Sequence, residues 1–213
     1  FVRSQPIILG LLLVGVGWAT GGGAAQILFS LFAVDVYHAG ESGIGLLYGA
    51  AGFGIVVGAT VSNAFFRHRS FDFTKWVIGT SMVLTGIFYS IFSFTHSLWS
   101  GLFWIALSRV VMGINNIIGT TLLMNIVPAE FRGRTFSVKE TVVILTMVLS
   151  MLLAGVGQRY AGPPAIALVA GILTLLTGVL WLLANWAGVY NQGREPRAAT
   201  ARRPDQAIVS EGE

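Results

Sequence analysis

The sequence predicts an all-α membrane protein with six transmembrane helices. Three observations support this prediction: the composition, six long apolar segments, and charges that cluster between those segments. Of the 213 residues, 54% are hydrophobic and 10% are charged, whereas an ordinary soluble domain has about 25% charged residues. A lipid bilayer is therefore the expected environment. The formal net charge of +4 comes from loops and a tail rather than from a basic surface, so no nucleic-acid partner is expected.

The apolar segments define the predicted spans, because a helix of about 20 residues crosses a hydrocarbon core of about 30 Å without leaving backbone groups unpaired. The first, second, third and sixth contain no charged residue. The fourth contains only Arg109, and the fifth contains an uncharged stretch from Thr141 to Gln158. The polar segment that follows lacks the apolar residues needed to bury a core. We therefore predict one bundle over residues 1–189, a disordered cytoplasmic tail over 190–213, and spans at about 6–34, 43–66, 76–94, 98–127, 135–160 and 164–186.

The basic residues predict the orientation of the bundle, because Lys and Arg in short loops mark the cytoplasmic side. All but two of the 13 Lys and Arg residues fall on one side of the predicted spans. The exceptions are Arg159, on the opposite side, and Arg109, within a span. Both termini are therefore expected in the cytoplasm, with the protein in the inner (plasma) membrane.

Catalytic and metal-binding motifs are missing from the sequence. There is no cysteine, the three histidines lie in predicted loops, and no nucleophile elbow, zinc-protease motif or membrane-embedded acid pair occurs. We therefore predict no catalytic residue, no metal and no cofactor. An intramembrane hydrolase is a disfavoured alternative, and a self-associating six-span protein without transport activity is another.

Six spans with both ends on one side divide into two groups of three, the second inverted relative to the first, as in several transporter families. Two stretches add a family resemblance. The first reads FAVDVYHAG at residues 32–40 and continues as GIGLLYGAAGFG at 43–54, and the second reads VPAEFRGRTFS at 127–137. They are similar to two inter-helix connections and the glycine-rich eighth helix in the C-terminal half of major facilitator transporters. The branch they resemble most is that of bacterial exporters, which includes the enterobactin exporter.

The resemblance implies the C-terminal half of a secondary transporter that exports a small drug-like or siderophore-like molecule by alternating access. Its expected partners are the lipid bilayer, the N-terminal six-helix half or a second copy of this chain, and protons as the coupling ion. One departure is that Ser62 and Asn63 stand where the family often has an Asp-Arg pair. The resemblance therefore does not extend to a charge-relay gate at this loop.

Arg109 is the strongest candidate site residue, because a guanidinium within a span costs about 2.5 to 3.5 kcal/mol on insertion scales and should avoid lipid. Its spacing from Gly113, Asn116 and Thr120 places all four on one helix face. That face is interpreted as a wall of the substrate pathway. The alternatives are a buried network between helices, or an arginine that extends outward to the interface. Gln26, in the first span, is either a further substrate contact or a helix–helix hydrogen bond.

The remaining candidates lie at a glycine run and at the ends of the spans. Gly21, Gly22 and Gly23 form either a gating hinge or a close-packing site. Asp35 is expected to act as an outer gate or proton site, or to be a solvated capping residue. Lys139 and Glu140 are expected to reach the inner interface. Every acid is assigned to a loop, a span end or the tail, so no proton-carrying acid is expected at the membrane centre. Four arginines in loops are expected either to form an inner gate with acids of the other half or to anchor to headgroups: Arg67, Arg69, Arg132 and Arg134.

Overall fold

The computed structural model describes residues 6–66 and 70–191 and consists of long helices joined by short connections. Six of the helices are long and apolar enough to cross a membrane, which confirms the predicted all-α membrane fold. They are α1 (Pro6–Leu31, extended by a π-helical turn at Phe32–Val36), α2 (Gly40–Phe66), α3 (Phe71–Ser93), α4 (Leu98–Ile126), α5 (Ala129–Gly157) and α6 (Pro163–Trp186). A short 3-10 turn, Val189–Asn191, follows α6.

Two helices begin earlier than the predicted spans. The α3 helix begins at Phe71 rather than near residue 76, because the side chain of Ser70 caps it and accepts a hydrogen bond from the Phe73 amide at 3.3 Å. The α5 helix begins at Ala129, directly after Pro128, rather than near residue 135. Predicted spans follow the apolar residues alone, whereas these helices extend through polar residues at their ends.

The bundle also continues past its predicted end at residue 189. Tyr190 is buried and stacks on Trp181 of α6, with ring centroids 4.5 Å apart. Gly10 of α1 makes room for this ring, since a Cβ atom there would lie 2.7 Å from the Tyr190 hydroxyl. Tyr190 therefore belongs to the bundle and not to the predicted tail. The tail from residue 192 onward lies outside the described residues, and its disorder stays a prediction.

The helices pack mainly with partners distant in sequence: α2 along α4, α1 along α5, and α3 along α6, with further contacts between α3 and α4 and between α1 and α6. These pairs are symmetric under the exchange of α1 with α4, α2 with α5 and α3 with α6. The exchange turns the α1–α5 pair into the α4–α2 pair and the α1–α6 pair into the α4–α3 pair, and it leaves the α3–α6 pair unchanged. This is the packing expected of two three-helix repeats related by a pseudo-two-fold axis, and an odd number of spans per repeat makes them inverted.

Small residues allow these helices to approach closely, because association in lipid relies on packing rather than on the hydrophobic effect. Between α2 and α4, a Cβ atom on Gly113 would lie 2.5 Å from the carbonyl oxygen of Ile55. Between α3 and α6, a Cβ atom on Gly86 would lie 2.7 Å from the carbonyl oxygen of Gly171. Glycine is therefore required at both crossings.

The core forms two clusters along the bundle. We call the end where α1 begins and α6 ends the terminal end, and the other the distal end. The terminal cluster includes Ile8, Ile78 and Leu122. The distal cluster includes Phe32 and Phe92, whose ring centroids are 4.6 Å apart.

Candidate functional site

A polar pocket of about 270 Å³ lies between α1, α4 and α5 in the half of the bundle nearer the terminal end. Within α5, Glu140 stands eleven residues after Ala129, about 16 Å along the helix axis. Within α4, Asn116 stands ten residues before Ile126, about 15 Å from that end. The pocket therefore lies about 15 Å from the terminal end of α4, between helices that are long and apolar enough to cross a membrane. Its wall is formed by Leu11, Val14, Gly15, Trp18, Asn115, Asn116, Gly119, Thr120, Leu123, Lys139, Glu140 and Val143.

An ion pair occupies the α5 wall of this pocket. The Nζ atom of Lys139 lies 3.4 Å from Oε1 of Glu140, and their side chains are 22% and 56% exposed. The ammonium also lies 5.9 Å from the ring centroid of Phe136. Charged side chains within a membrane-spanning helix are expected to face a bundle interior or a water-filled cavity, and these two face the pocket.

Lys139 and Glu140 lie well inside α5, and their reach to the inner interface stays a prediction, as does the assignment of every acid to a loop, a span end or the tail. The sequence predicts a span from about residue 135, whereas α5 has six helical residues before that point. A signal for the earlier start was present. Pro128 directly before the helix and Glu130 in its first turn are typical helix-start residues.

Two of the four residues predicted to share a face on α4 line the pocket, namely Asn116 and Thr120. The other two do not, because one face of a helix meets different neighbours along its length. Gly113 packs against the backbone of α2, and Arg109 points into the interior of the bundle. Asn116 is exposed, so the pocket opens at the surface of this chain.

Asn115, which the sequence pattern did not single out, lies at the back of the pocket. It is buried and donates two hydrogen bonds from Nδ2 to α3, to the carbonyl oxygen of Ile78 at 2.9 Å and to Oγ of Ser81 at 2.8 Å. These bonds hold α4 against α3. Asn115 therefore positions the α4 wall, and the exposed Asn116 offers its amide to the pocket.

The Arg109 side chain is 8% exposed and does not contact the α1–α4–α5 pocket. Its Nη1 atom donates to the sulfur of Met112 at 3.1 Å. The guanidinium carbon lies 5.5 Å from the ring centroid of Phe29 and 5.9 Å from that of Tyr89. The residue avoids lipid as the sequence predicts, and its role in a substrate pathway stays a prediction.

Gln26 and the glycine run also lie outside the pocket. The Tyr48 hydroxyl of α2 donates to the backbone oxygen of Gln26 at 2.6 Å, which joins α2 to α1. Gly21, Gly22 and Gly23 lie within continuous α-helix, where a Cβ atom on Gly21 would lie 2.6 Å from Oγ1 of Thr174 in α6. The contact shows a packing role for Gly21, and the hinge stays a prediction.

The candidates at the bundle ends have separate environments. Asp35 is exposed in the π-helical turn at the distal end. Arg132 and Arg134 lie in the first turns of α5 and not in a loop, and Nε of Arg132 donates to the carbonyl oxygen of Val127 at 3.1 Å, which caps the end of α4. The predicted gate residues Arg67 and Arg69 lie outside the described residues.

The distal end is held together by Tyr37, after the π-helical turn, and Thr95, in the α3–α4 connection. Their hydroxyl oxygens lie 2.6 Å apart. Burial raises the pKa of Tyr37, and the hydrogen bond to Thr95 lowers it by a smaller amount. The tyrosine is therefore a neutral hydrogen-bonding group at physiological pH.

A second pocket, of about 370 Å³, lies between α1, α5 and α6, and none of the residues that line it is charged. Across residues 6–66 and 70–191, no group of three or more His, Asp or Glu side chains is placed to hold a metal ion. The charged and amide groups of the α1–α4–α5 pocket therefore make it the best candidate site.

Comparison with known proteins gives one match. The family model described as Major Facilitator Superfamily covers residues 7–209, a range that contains every wall residue of the α1–α4–α5 pocket. No curated protein and no solved structure matches the chain significantly.

Proposed function

Because the chain belongs to the Major Facilitator Superfamily, whose members are membrane transporters, we propose that it exports a small polar or drug-like molecule through the α1–α4–α5 pocket by alternating access. The observation that carries this proposal is the convergence of Lys139, Glu140, Asn116 and Thr120 on one pocket between helices that are long and apolar enough to cross a membrane. Polar groups in that position are costly in lipid and are typical of a substrate pathway. A siderophore-like substrate is the alternative that the sequence resemblance suggests.

A second six-helix bundle would complete this site. Transporters of this family have two six-helix halves related by an axis along the membrane normal, with the substrate between them. Glu140 is 56% exposed and Asn116 is also exposed, so this chain covers the pocket from one side. We assign the chain to the C-terminal half, and the covering bundle to the N-terminal half of the same transporter or to a second copy.

The proposed direction of transport agrees with the position of the pocket and the predicted orientation. The basic residues predict a cytoplasmic terminal end, and the pocket lies in the half of the bundle nearer that end. In an inward-open state the pocket would open toward the cytoplasm, where an exporter takes up its substrate.

Among the described residues, we propose Glu140 as the one that couples transport to protons. Its charged neighbour is Lys139, while the pocket walls from α1 and α4 contribute Trp18, Asn116 and Thr120, none of which carries a charge. Protonation of Glu140 would leave Lys139 without its partner and change the net charge of the pocket. A substrate and a proton would then compete for the same site, which is the basis of antiport.

The test is export by the complete protein in cells that lack their own efflux pumps, with a panel of toxic drug-like compounds and ferric chelators. The protein should protect against at least one compound, and Glu140→Gln should reduce its efflux rate about tenfold or more, since a neutral amide cannot carry a proton. The matched control is Thr141→Val, at an exposed neighbouring position outside the pocket wall, which should change the rate less than about twofold. Protection against none of the compounds, or equal rates for Glu140→Gln and Thr141→Val, would contradict the proposal.

A further inference from the structure

A second site lies deeper in the bundle, where Arg109 adjoins a small void between α1, α3, α4 and α6. Arg109 stands eleven residues after Leu98, about 16 Å into α4. The void is lined by Trp18, Gly21, Gly22, Thr85, Tyr89, Arg109 and Thr174. Its position is separate from the α1–α4–α5 pocket, with which it shares only Trp18.

Three polar atoms at this void are buried and have no hydrogen-bond partner in the described part of the chain: Oγ1 of Thr85, the hydroxyl of Tyr89 and Nε of Arg109. The three residues are 5%, 4% and 8% exposed. Buried polar groups are nearly always paired, because leaving one unpaired costs about 1 to 3 kcal/mol. Three such atoms on residues that line one void make it a candidate site for a ligand that accepts hydrogen bonds.

The charge of Arg109 is also uncompensated within the described residues. No carboxylate of residues 6–66 and 70–191 lies within ion-pair distance of its guanidinium. The sulfur of Met112 and the rings of Phe29 and Tyr89 surround the group. A desolvated cation–π contact contributes about 2 kcal/mol or more, but it brings no negative charge. A buried guanidinium ordinarily has an anionic partner.

The size of the void restricts the ligand. The free space is about 10 Å³, about the minimum that one water molecule needs, so the wall must move slightly outward to admit a halide, which is larger than water. Phosphate, sulfate and organic carboxylates are too large. The space exists because α1 has glycine at two wall positions, and a methyl group on Gly22 would lie 3.3 Å from the Trp18 ring.

The chemistry of the wall favours an anion over water. The Nε–H of Arg109 is a donor and cannot accept, and the hydroxyls of Tyr89 and Thr85 can both donate. A halide accepts all three bonds and neutralises the guanidinium at the same time. A water molecule would leave the charge unpaired.

We propose that Arg109, Tyr89 and Thr85 bind a single halide ion, chloride under physiological conditions, as the internal counter-ion of Arg109. The ion joins α3 to α4 at membrane depth and stabilises the bundle independently of the transported substrate. Gly21 and Gly22 keep its volume free. This assigns Arg109 to a structural ion site.

The first experiment measures thermal unfolding of the purified complete protein in chloride and in gluconate at equal ionic strength. We expect a saturable rise in Tm of about 5 to 10 °C in chloride, the shift that a ligand at about 100 times its Kd produces in a chain of about 200 residues. Bromide should replace chloride and give an anomalous scattering peak at the void. Equal Tm values in both salts, or electron density for water with no bromide peak, would overturn the proposal.

Variants identify the residues that bind the ion. Tyr89→Phe removes one donor and keeps the ring, and should reduce the chloride-dependent rise in Tm to less than half. The matched control, Tyr37→Phe, removes a hydroxyl that bonds to Thr95 instead and should keep the full rise. Gly22→Ala narrows the void without changing a donor and should abolish the rise. A full chloride response in both Tyr89→Phe and Gly22→Ala would refute the assignment of the site.

Discussion

Replacing Gly58 with alanine provides the sharpest test of how α2 and α4 pack. A Cβ atom at this position would overlap the carbonyl oxygen of Val110, and it would lie 2.8 Å from the carbonyl carbon of that residue and 3.1 Å from the Cα of Gly113. All three contacts are to backbone atoms, which cannot rotate away as a side chain can. The substitution must therefore move one helix relative to the other.

The size of the effect follows from these distances. Carbon atoms pack best at about 3.5 to 4.0 Å, so α2 and α4 must separate by roughly 1 Å, and a gap of that size forfeits about a quarter to a half of the dispersion energy of the contacts it opens. Overpacking in a core costs about 1 to 3 kcal/mol. Because the separation affects the long α2–α4 crossing as a whole, we expect Gly58→Ala to reduce the free energy of unfolding by at least about 3 kcal/mol.

The assay is reversible unfolding in detergent, or Tm where unfolding is irreversible, with Gly155→Ala as the matched control. Gly155 is an exposed helical glycine of α5 whose Cβ atom would meet only Ile27, at 3.7 Å, an ordinary contact distance. Alanine there should be neutral or stabilising by about 0.5 to 1 kcal/mol, because glycine is the poorer helix former. If Gly58→Ala is as stable as Gly155→Ala, the close crossing of α2 and α4 is wrong.

Three further predictions concern hydrogen bonds between helices and at the distal end. Asn115→Ala should cost about 1 to 3 kcal/mol in the free energy of unfolding, because it leaves the buried hydroxyl of Ser81 without this donor; an unchanged Tm would contradict the burial of the amide. Trp181→Phe should cost about 1 kcal/mol, because the indole Nε1 donates to the carbonyl oxygen of Lys75 at 2.7 Å, and equilibrium unfolding measures the difference. Tyr37 has a pKa above its ordinary value of 10.0, so its stabilisation is present below pH 10.0 and is lost as pH rises through the folded-state pKa. Tyr37→Phe should therefore flatten the alkaline fall in stability, and parallel pH profiles for the two proteins would exclude this role.

The α4 helix shows how far the sequence pattern defines a site. Spacing correctly placed Asn116 and Thr120 together, and both line the pocket. It also grouped them with Arg109, which the structure places among α1, α3 and α6 at a different void. Helical periodicity determines which residues share a face, but the neighbour that each part of the face meets depends on how the helices cross.

Two adjacent asparagines of α4 also show that the sequence does not identify which residues of a membrane helix pack inward. Asn115 is buried against α3 and Asn116 is exposed in the pocket, although nothing in the sequence separates them. In a soluble helix, an apolar stripe would mark the buried face. In a membrane helix the lipid-facing side is apolar as well, so hydrophobicity cannot identify the side that packs inward.

The sequence by itself determined the six spans, since only helices of sufficient apolar length can cross a bilayer with every backbone group paired. It also determined that Arg109 avoids lipid, because an unpaired charge in hydrocarbon is too costly. Only the tertiary structure decided that α1 pairs with α5 and α2 with α4, and this pairing brings Lys139 and Glu140 opposite Asn116 and Thr120. The physical reason is that those pairings depend on where small residues of two distant helices allow close approach, a property of matched surfaces that no single segment contains.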